Sequence, residues 1–145
     1  MTIEAISIED FSAFHVIDTT TDEIVCDYQG KISPENFGDL MIDLGHKYNT
    51  ALLCPELNSF GMLTSITLKK SNYPNLYYEK VARNMYVSYT DADVRDELPG
   101  FTTAPKNREE IMAKLENYLK GGRIRVYSSR FIDELKTLVW KTNTR

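Results

Sequence analysis

Residues 51–57 (ALLCPEL) constrain the fold of this chain more than any other segment. The segment begins with a continuous apolar run and is too short for a helix, so it predicts a buried central strand. Proline has no amide hydrogen for a ladder bond, and regular pairing is therefore expected to end near Pro55. Helical patterns precede and follow the segment, which indicates a layered α/β domain.

The residues before this segment predict a hairpin and a helix. Residues 12–18 (SAFHVID) and 23–28 (EIVCDY) are short strand-like runs separated by a polar turn, which is typical of an antiparallel hairpin. Ser33-Pro34-Glu35 then carries three helix-start signals: a capping hydroxyl, a first-turn proline and a carboxylate at the positive end of the dipole. The apolar residues of this helix recur at helical spacing: Phe37, Leu40, Met41, Leu44 and Tyr48.

The second half of the chain alternates helical and extended patterns. Residues 58–68 predict a helix, residues 76–78 and 85–89 predict strands, and the polar residues 91–105 predict a loop.

A helix should then begin at Asn107, because a glutamate follows three residues later at the spacing of a capping box. It should end at Gly121-Gly122. Residues 123–127 (RIRVY) alternate polar and apolar side chains, as a strand does. Either Ser128 or Ser129 is expected to cap a final helix.

The composition favours one packed domain. The chain has 145 residues, of which 42% are hydrophobic and 26% are charged, and such a balance is typical of a folded core. The formal net charge of -4 argues against a protein that holds DNA by bulk positive charge. A nuclease remains possible, since carboxylates that hold metal ions also lower the net charge.

The cysteines and the N-terminus indicate a cytosolic protein. Cys26 and Cys54 form no CxxC pair and are expected to be reduced, buried thiols. The two histidines, His15 and His46, provide no zinc-ligand spacing; we expect His15 on a sheet face or in the core, and His46 in solvent. The sequence begins without a basic region or a long apolar run, so no signal peptide is predicted. No stretch reaches the ~20 apolar residues of a membrane span.

Glu56 is the strongest candidate for chemistry. It ends the predicted buried strand, where open α/β sheets place their ligands. A carboxylate buried there is unfavourable unless it is paired or binds a cation. The alternative is an exposed carboxylate near the start of the following helix. Asn58 and Ser59 could orient Glu56 by hydrogen bonding, or cap that helix.

Residues 56–61 (ELNSFG), placed between a central strand and a helix, resemble the second acidic motif of the nuclease domain in the large terminase subunit of tailed bacteriophages. Residues 10–18 (DFSAFHVID) resemble the strand pair of that family. Further similarities follow in the family's order at residues 100–103 (GFTT), 122–128 (GRIRVYS) and 131–135 (FIDEL). The resemblance covers nearly the whole chain.

The resemblance implies a ribonuclease H-like fold, with a mixed sheet flanked by helices. It implies cleavage of concatemeric double-stranded DNA during packaging, in the cytoplasm of the infected bacterium. Two divalent ions, Mg²⁺ or Mn²⁺, would sit roughly 3.5–4 Å apart in an acidic cluster. The implied partners are double-stranded DNA, the portal protein and the rest of the terminase, with no membrane.

The chain departs from the family at its acidic positions. Thr2 stands where the family has its first-strand aspartate, and the last acidic motif would fall beyond Arg145. Glu56 remains as a catalytic and metal-binding residue, with Asp10 as an accessory in both roles. Glu4 could substitute if the N-terminal residues form an edge strand. We therefore expect residues 1–145 to be one incomplete domain without its first strand, last helix or ATPase domain: a fragment, a split-gene product or a truncated reading frame.

Four cations are candidate DNA contacts by residue type: Lys69, Lys70, Arg123 and Arg125. The lysine pair precedes several tyrosines, and such mixtures can bind backbone and bases; the alternative is an ordinary surface beside packed tyrosines. Two functional hypotheses remain. The first is a two-metal nuclease fragment that is inactive as an isolated chain. The second is a catalytically silent ribonuclease H-like module that binds DNA or packaging partners.

Overall fold

A computed structural model describes residues 11–79 and 98–137 of the chain. Within these residues the fold is mixed α/β, which confirms the predicted class. The elements in chain order are β1 (Ser12–Asp18), β2 (Glu23–Gly30), α1 (Pro34–Lys47), α2 (Ser59–Lys70), α3 (Pro105–Lys120), β3 (Arg125–Val126) and α4 (Ser129–Thr137). The strands form a sheet in the order β1-β2-β3, with the first pair antiparallel and the second parallel.

The predicted hairpin is confirmed. β1 has the expected bounds, and β2 continues beyond the predicted end to Gly30, which lies opposite Ser12. In the turn, the Asp18 carboxylate accepts a hydrogen bond from the Thr20 amide at 2.8 Å. Asp22 adopts a φ of 55°, a left-handed conformation that aspartate tolerates better than most residues. Local turn chemistry therefore closes this hairpin.

Helix α1 starts as its sequence predicts and carries much of the core. The Ser33 hydroxyl accepts a hydrogen bond from the Asn36 amide at 3.3 Å, and Pro34 occupies the first turn. Gly38 lets α2 approach closely, because a β-carbon there would lie 2.9 Å from the side chain of Thr67. The buried core cluster comprises Phe14, Val16, Phe37, Met41, Leu53, Leu68 and Tyr73.

Helices cover both faces of the hairpin. Successive side chains of a strand point to opposite faces, so Phe14 and His15 face different layers. The Phe14 ring lies 6.0 Å from the ring of Phe37 on α1. The His15 ring lies 4.8 Å from the ring of Phe131 on α4, edge to face. The described part of the chain therefore has three layers, with α1 and α4 on opposite sides of the sheet.

The prediction that residues 51–57 form a buried central strand of the sheet is confirmed only for the burial of the segment, because among the described residues it does not join the sheet of β1, β2 and β3. The segment is extended and Leu53 is fully buried, as expected, but it makes isolated parallel bridges in place of a continuous ladder. Among the described residues, no bridge joins it to β1, β2 or β3. Two features interrupt the ladder: Pro55 has no amide hydrogen, and the bridging partner changes along the segment from Leu76 to Phe101.

The start of α3 also differs from the prediction. The helix begins at Pro105 with Ala104 at the N-cap, so Asn107 is not the cap. Alanine has no side-chain acceptor, and only half of a capping box forms: Asn107 Oδ1 accepts from the Ala104 amide at 2.7 Å. Proline favours the first helical position, which sets the earlier start. The helix ends before Gly121, as predicted.

The strand β3 is shorter than predicted, whereas the predicted end of the last helix lies outside the described residues. β3 covers Arg125–Val126 only, and Ser128 is the cap of α4, since its hydroxyl accepts from the Phe131 amide at 3.2 Å. The strand predicted over residues 85–89 lies outside the described residues. Of the helices that the structure describes, none combines the length and apolar character that crossing a membrane would require.

Candidate functional site

Glu56 lies in a small system of parallel bridges among three extended segments. At its beginning, Leu53 bridges Leu76. The Leu53 amide donates to the Asn75 carbonyl at 3.0 Å, and the Leu53 carbonyl accepts from the Tyr77 amide at 2.9 Å. These bonds place residues 75–77 beside the first half of residues 51–57.

A third segment separates the other two at their carboxyl ends. The Phe101 amide donates to the Pro55 carbonyl at 2.9 Å, and the Leu57 amide donates to the Phe101 carbonyl at 2.7 Å. On its other side, the Gly100 amide donates to the Tyr77 carbonyl at 2.8 Å. Residues 100–101 therefore lie between the segments that carry Pro55 and Tyr77, and both bonds to Phe101 flank Glu56.

Gly61 fixes the backbone of Glu56 from the helix side. A β-carbon at position 61 would collide with the carbonyl oxygen of Glu56. The Asn58 side chain caps α2 by accepting a hydrogen bond from the Gly61 amide at 2.8 Å. Ser59 is the exposed first residue of the helix. In the ELNSFG sequence, Asn58 and Gly61 therefore form a capped helix start that packs closely against the backbone of Glu56.

Gly100 allows the second close approach. Its φ is +142°, a region that favours glycine. A β-carbon there would lie 2.6 Å from the Pro55 carbonyl oxygen and 2.8 Å from Leu57 Cγ. The buried Ser65 hydroxyl of α2 also donates to the carbonyl of Pro99. The backbone around Glu56 is therefore closely packed, because Gly61 and Gly100 allow close approaches on two sides and the Ser65 hydroxyl holds the preceding Pro99.

The Glu56 carboxylate is incompletely satisfied. Its Oε2 atom is buried and has no hydrogen-bond partner among the described residues. A buried carboxylate oxygen without a partner is unfavourable, and a cation or a donor would relieve it. This atom suits a metal ligand. Within residues 11–79 and 98–137, no three His, Cys, Asp or Glu side chains converge as a metal-binding group.

Asp10, the second predicted metal ligand, lies outside the described residues. Its predicted proximity to Glu56 therefore stays a prediction. The same holds for the alternative carboxylate, Glu4.

Glu79 is a neighbouring carboxylate that the sequence reasoning missed. Tyr78 bridges Gly100, which places the next residue, Glu79, level with Phe101, and Phe101 in turn bridges Glu56. Bridged residues of parallel strands share a sheet face, so Glu56 and Glu79 flank Phe101 on one face. The Glu79 Oε2 atom accepts a hydrogen bond from the Thr102 amide at 3.2 Å. The available signal was its position directly after the predicted strand at residues 76–78, which parallels that of Glu56.

Cys54 lies on the same face as Glu56, because the two are separated by one residue in an extended segment. Burial raises the pKa of the Cys54 thiol, and the negative charge of Glu79 raises it further. This coupling agrees with the placement of Glu79 beside residues 51–57. Cys54 and Cys26 are both free thiols, as expected, but both are only partly buried.

The predicted DNA-binding cations occupy different surroundings. Lys69 and Lys70 form the exposed last turn of α2. The Arg123 guanidinium lies over the Tyr118 ring, 6.0 Å from its centroid. Arg125 Nη1 donates to the Glu23 carboxylate at 3.0 Å. The charge of Arg125 is thus offset by Glu23 within the chain, which weakens Arg125 as a DNA contact.

His15 is half-buried under α4, in keeping with the expectation of a sheet-face residue. Its Nδ1 atom is buried and has no hydrogen-bond partner among the described residues. Burial lowers the pKa of His15, while the charges of Asp27 and Glu134 raise it and that of Arg130 lowers it. Arg130 forms an ion pair with Asp27. The structure therefore favours a neutral imidazole in a mixed-charge setting.

His46 is exposed on α1, as expected, with its ring 5.0 Å from that of Tyr73.

Comparison of the sequence with protein-family models and with curated proteins found no match.

Proposed function

We propose that this chain carries a nuclease domain related to that of the large terminase subunit, in which Glu56 is the central carboxylate. The proposal rests on the order of the sequence motifs and on the position of Glu56 in a mixed α/β domain. The substrate would be concatemeric double-stranded DNA in the cytoplasm of an infected bacterium. The portal protein and the remaining terminase would be its partners.

The observation that carries the proposal is the buried Oε2 atom of Glu56, which has no hydrogen-bond partner within residues 11–79 and 98–137. The backbone of this residue is closely packed against Gly61, where a β-carbon would collide with the Glu56 carbonyl oxygen. It is also held by the hydrogen bonds of Phe101 to Pro55 and Leu57 on either side. A buried carboxylate oxygen without a hydrogen-bond partner destabilises the fold, so a purely structural role does not explain it. It is useful where a cation must be held in a defined place.

Glu56 and Asp10 would hold Mg²⁺ or Mn²⁺, since carboxylates are the hard ligands that these ions favour. Such ions supply an activated water and stabilise the leaving oxygen in DNA hydrolysis. The chain's own contribution is to orient the Glu56 carboxylate and to limit its motion. Two carboxylates form an incomplete acidic cluster, so the full site would require further ligands.

A second function is favoured by one specific observation. Thr2 occupies the position of the family's first aspartate and cannot replace it as a carboxylate ligand. The chain would then be a catalytically silent ribonuclease H-like module that binds DNA or packaging partners.

Two measurements distinguish these functions. Translation of the DNA that flanks the reading frame should reveal the two missing aspartates if the nuclease proposal is correct. A chain extended with those segments should nick supercoiled plasmid with Mn²⁺, and Glu56→Ala should abolish the nicking. An extended chain that binds DNA without cutting it would favour the silent module.

A further inference from the structure

Residues 100–102 are attached to both of their neighbours close to Glu56. On one side, Phe101 exchanges hydrogen bonds with Pro55 and Leu57. On the other, Gly100 donates to the Tyr77 carbonyl at 2.8 Å. These are backbone bonds, which a side-chain substitution does not remove directly.

The Glu79 carboxylate adds a side-chain attachment to the same segment. It accepts the hydrogen bond of the Thr102 amide at 3.2 Å, and Thr102 directly follows Phe101. Glu79 is half-buried, and a bond from an amide to a carboxylate is stronger than one between neutral groups. The contact therefore links Glu79, through Thr102 and Phe101, to the two residues on either side of Glu56.

We propose that Glu79 is a positioning residue for Glu56: by holding the Thr102 amide, it keeps Phe101 bonded to Pro55 and Leu57, and so fixes the direction of the Glu56 side chain. That the orientation of the Glu56 side chain matters for metal binding rests on the proposed function. The hydrogen bond between Glu79 and Thr102 is independent of that function. A positioning role requires an acceptor oxygen at position 79, whereas a metal-ligand role would require its negative charge.

Amide hydrogen exchange tests the attachment directly. In the 145-residue chain, Glu79→Ala should accelerate exchange at Leu57 and Phe101 by about fivefold, the effect of losing roughly one net hydrogen bond. Glu79→Gln retains an acceptor oxygen, although an uncharged one, and should stay closer to the wild type than to Glu79→Ala. Glu109→Ala, which removes an exposed glutamate of α3, is the matched control. Unchanged exchange in Glu79→Ala would overturn the proposal.

Titration with Mn²⁺, followed by water proton relaxation, tests the consequence for Glu56. Glu56→Gln should weaken binding most, Glu79→Ala should weaken it several-fold, and Glu79→Gln should leave it nearly unchanged. If Glu79→Gln is as damaging as Glu56→Gln, Glu79 acts through its charge and the positioning role is wrong. If the wild type binds no Mn²⁺ while exchange responds as expected, the proposed function fails and the attachment stands.

Discussion

The α-carbon of Gly61 lies so close to the carbonyl oxygen of Glu56 that any side chain at position 61 would collide with that oxygen. The obstructing atom belongs to the backbone and cannot rotate away. Gly61→Ala must therefore displace either the start of α2 or residue 56. We expect a loss of about 1–3 kcal/mol, the range for overpacked sites, measured by urea unfolding. Ser59→Ala, at an exposed position of the same turn, should change stability by less than about 0.5 kcal/mol; equal effects would contradict the collision.

Leu53 and Leu52 provide a matched pair for the burial of residues 51–57. Leu53 is fully buried in the core cluster, whereas Leu52 is 46% exposed. Leu53→Ala should cost about 2–5 kcal/mol because it removes buried methyl groups and leaves a cavity. Leu52→Ala should cost much less. Similar unfolding midpoints for the two variants would show that Leu53 does not belong to the buried core cluster.

The contrast between local and distant determinants explains what the sequence could predict. The β1–β2 turn and the Ser33 cap depend on residues within a few positions, and both were predicted correctly. The bridging of Glu56 to Phe101 depends on residues far apart in the chain. Pro55 predicted the end of regular pairing, but nothing near residue 56 indicates that Gly100 approaches Pro55, so the change of bridging partner to Phe101 could not be foreseen.

The candidate site divides in the same way. Glu56 was identified because a carboxylate ending an apolar strand is visible in the sequence itself. Glu79 was missed because its relation to Glu56 passes through Phe101 and the amide of Thr102. The parallel pairing of β3 with β2 is likewise a long-range contact, and its two-residue length could not be read from the alternating pattern of residues 123–127.

His15 should make the stability of the chain depend on pH near neutrality. Burial lowers its pKa below the ordinary 6.5, so the folded state binds this proton less readily than the unfolded state. The stabilisation is fully present above the unfolded pKa of about 6.5 and is lost as pH falls through the folded value. Unfolding free energies between pH 7.5 and 5.5 should therefore decline. His15→Leu, which cannot titrate, should show a shallower decline; an unchanged slope would assign the dependence to other groups.

The 145-residue chain alone should lack nuclease activity. In the proposed acidic cluster Glu56 and Asp10 supply the carboxylates, and Thr2 stands where the resemblance to the terminase nuclease would place another. Mg²⁺ loses its coordinated waters reluctantly, so two carboxylates are too few ligands to hold two such ions in fixed positions. Loss of one well-placed electrostatic group commonly lowers the rate by a factor of about 10² or more. Nicking of supercoiled plasmid with Mg²⁺ or Mn²⁺ should therefore be negligible.

Glu56→Ala serves as the reference for this assay, because it removes the carboxylate on which the proposed chemistry depends. Wild type and variant should be indistinguishable if the cluster is incomplete. Robust metal-dependent nicking by the wild type that disappears in Glu56→Ala would show that other residues of this chain complete the site. Nicking that persists equally in Glu56→Ala would indicate a contaminating nuclease or a different active site. It would contradict a catalytic role for Glu56.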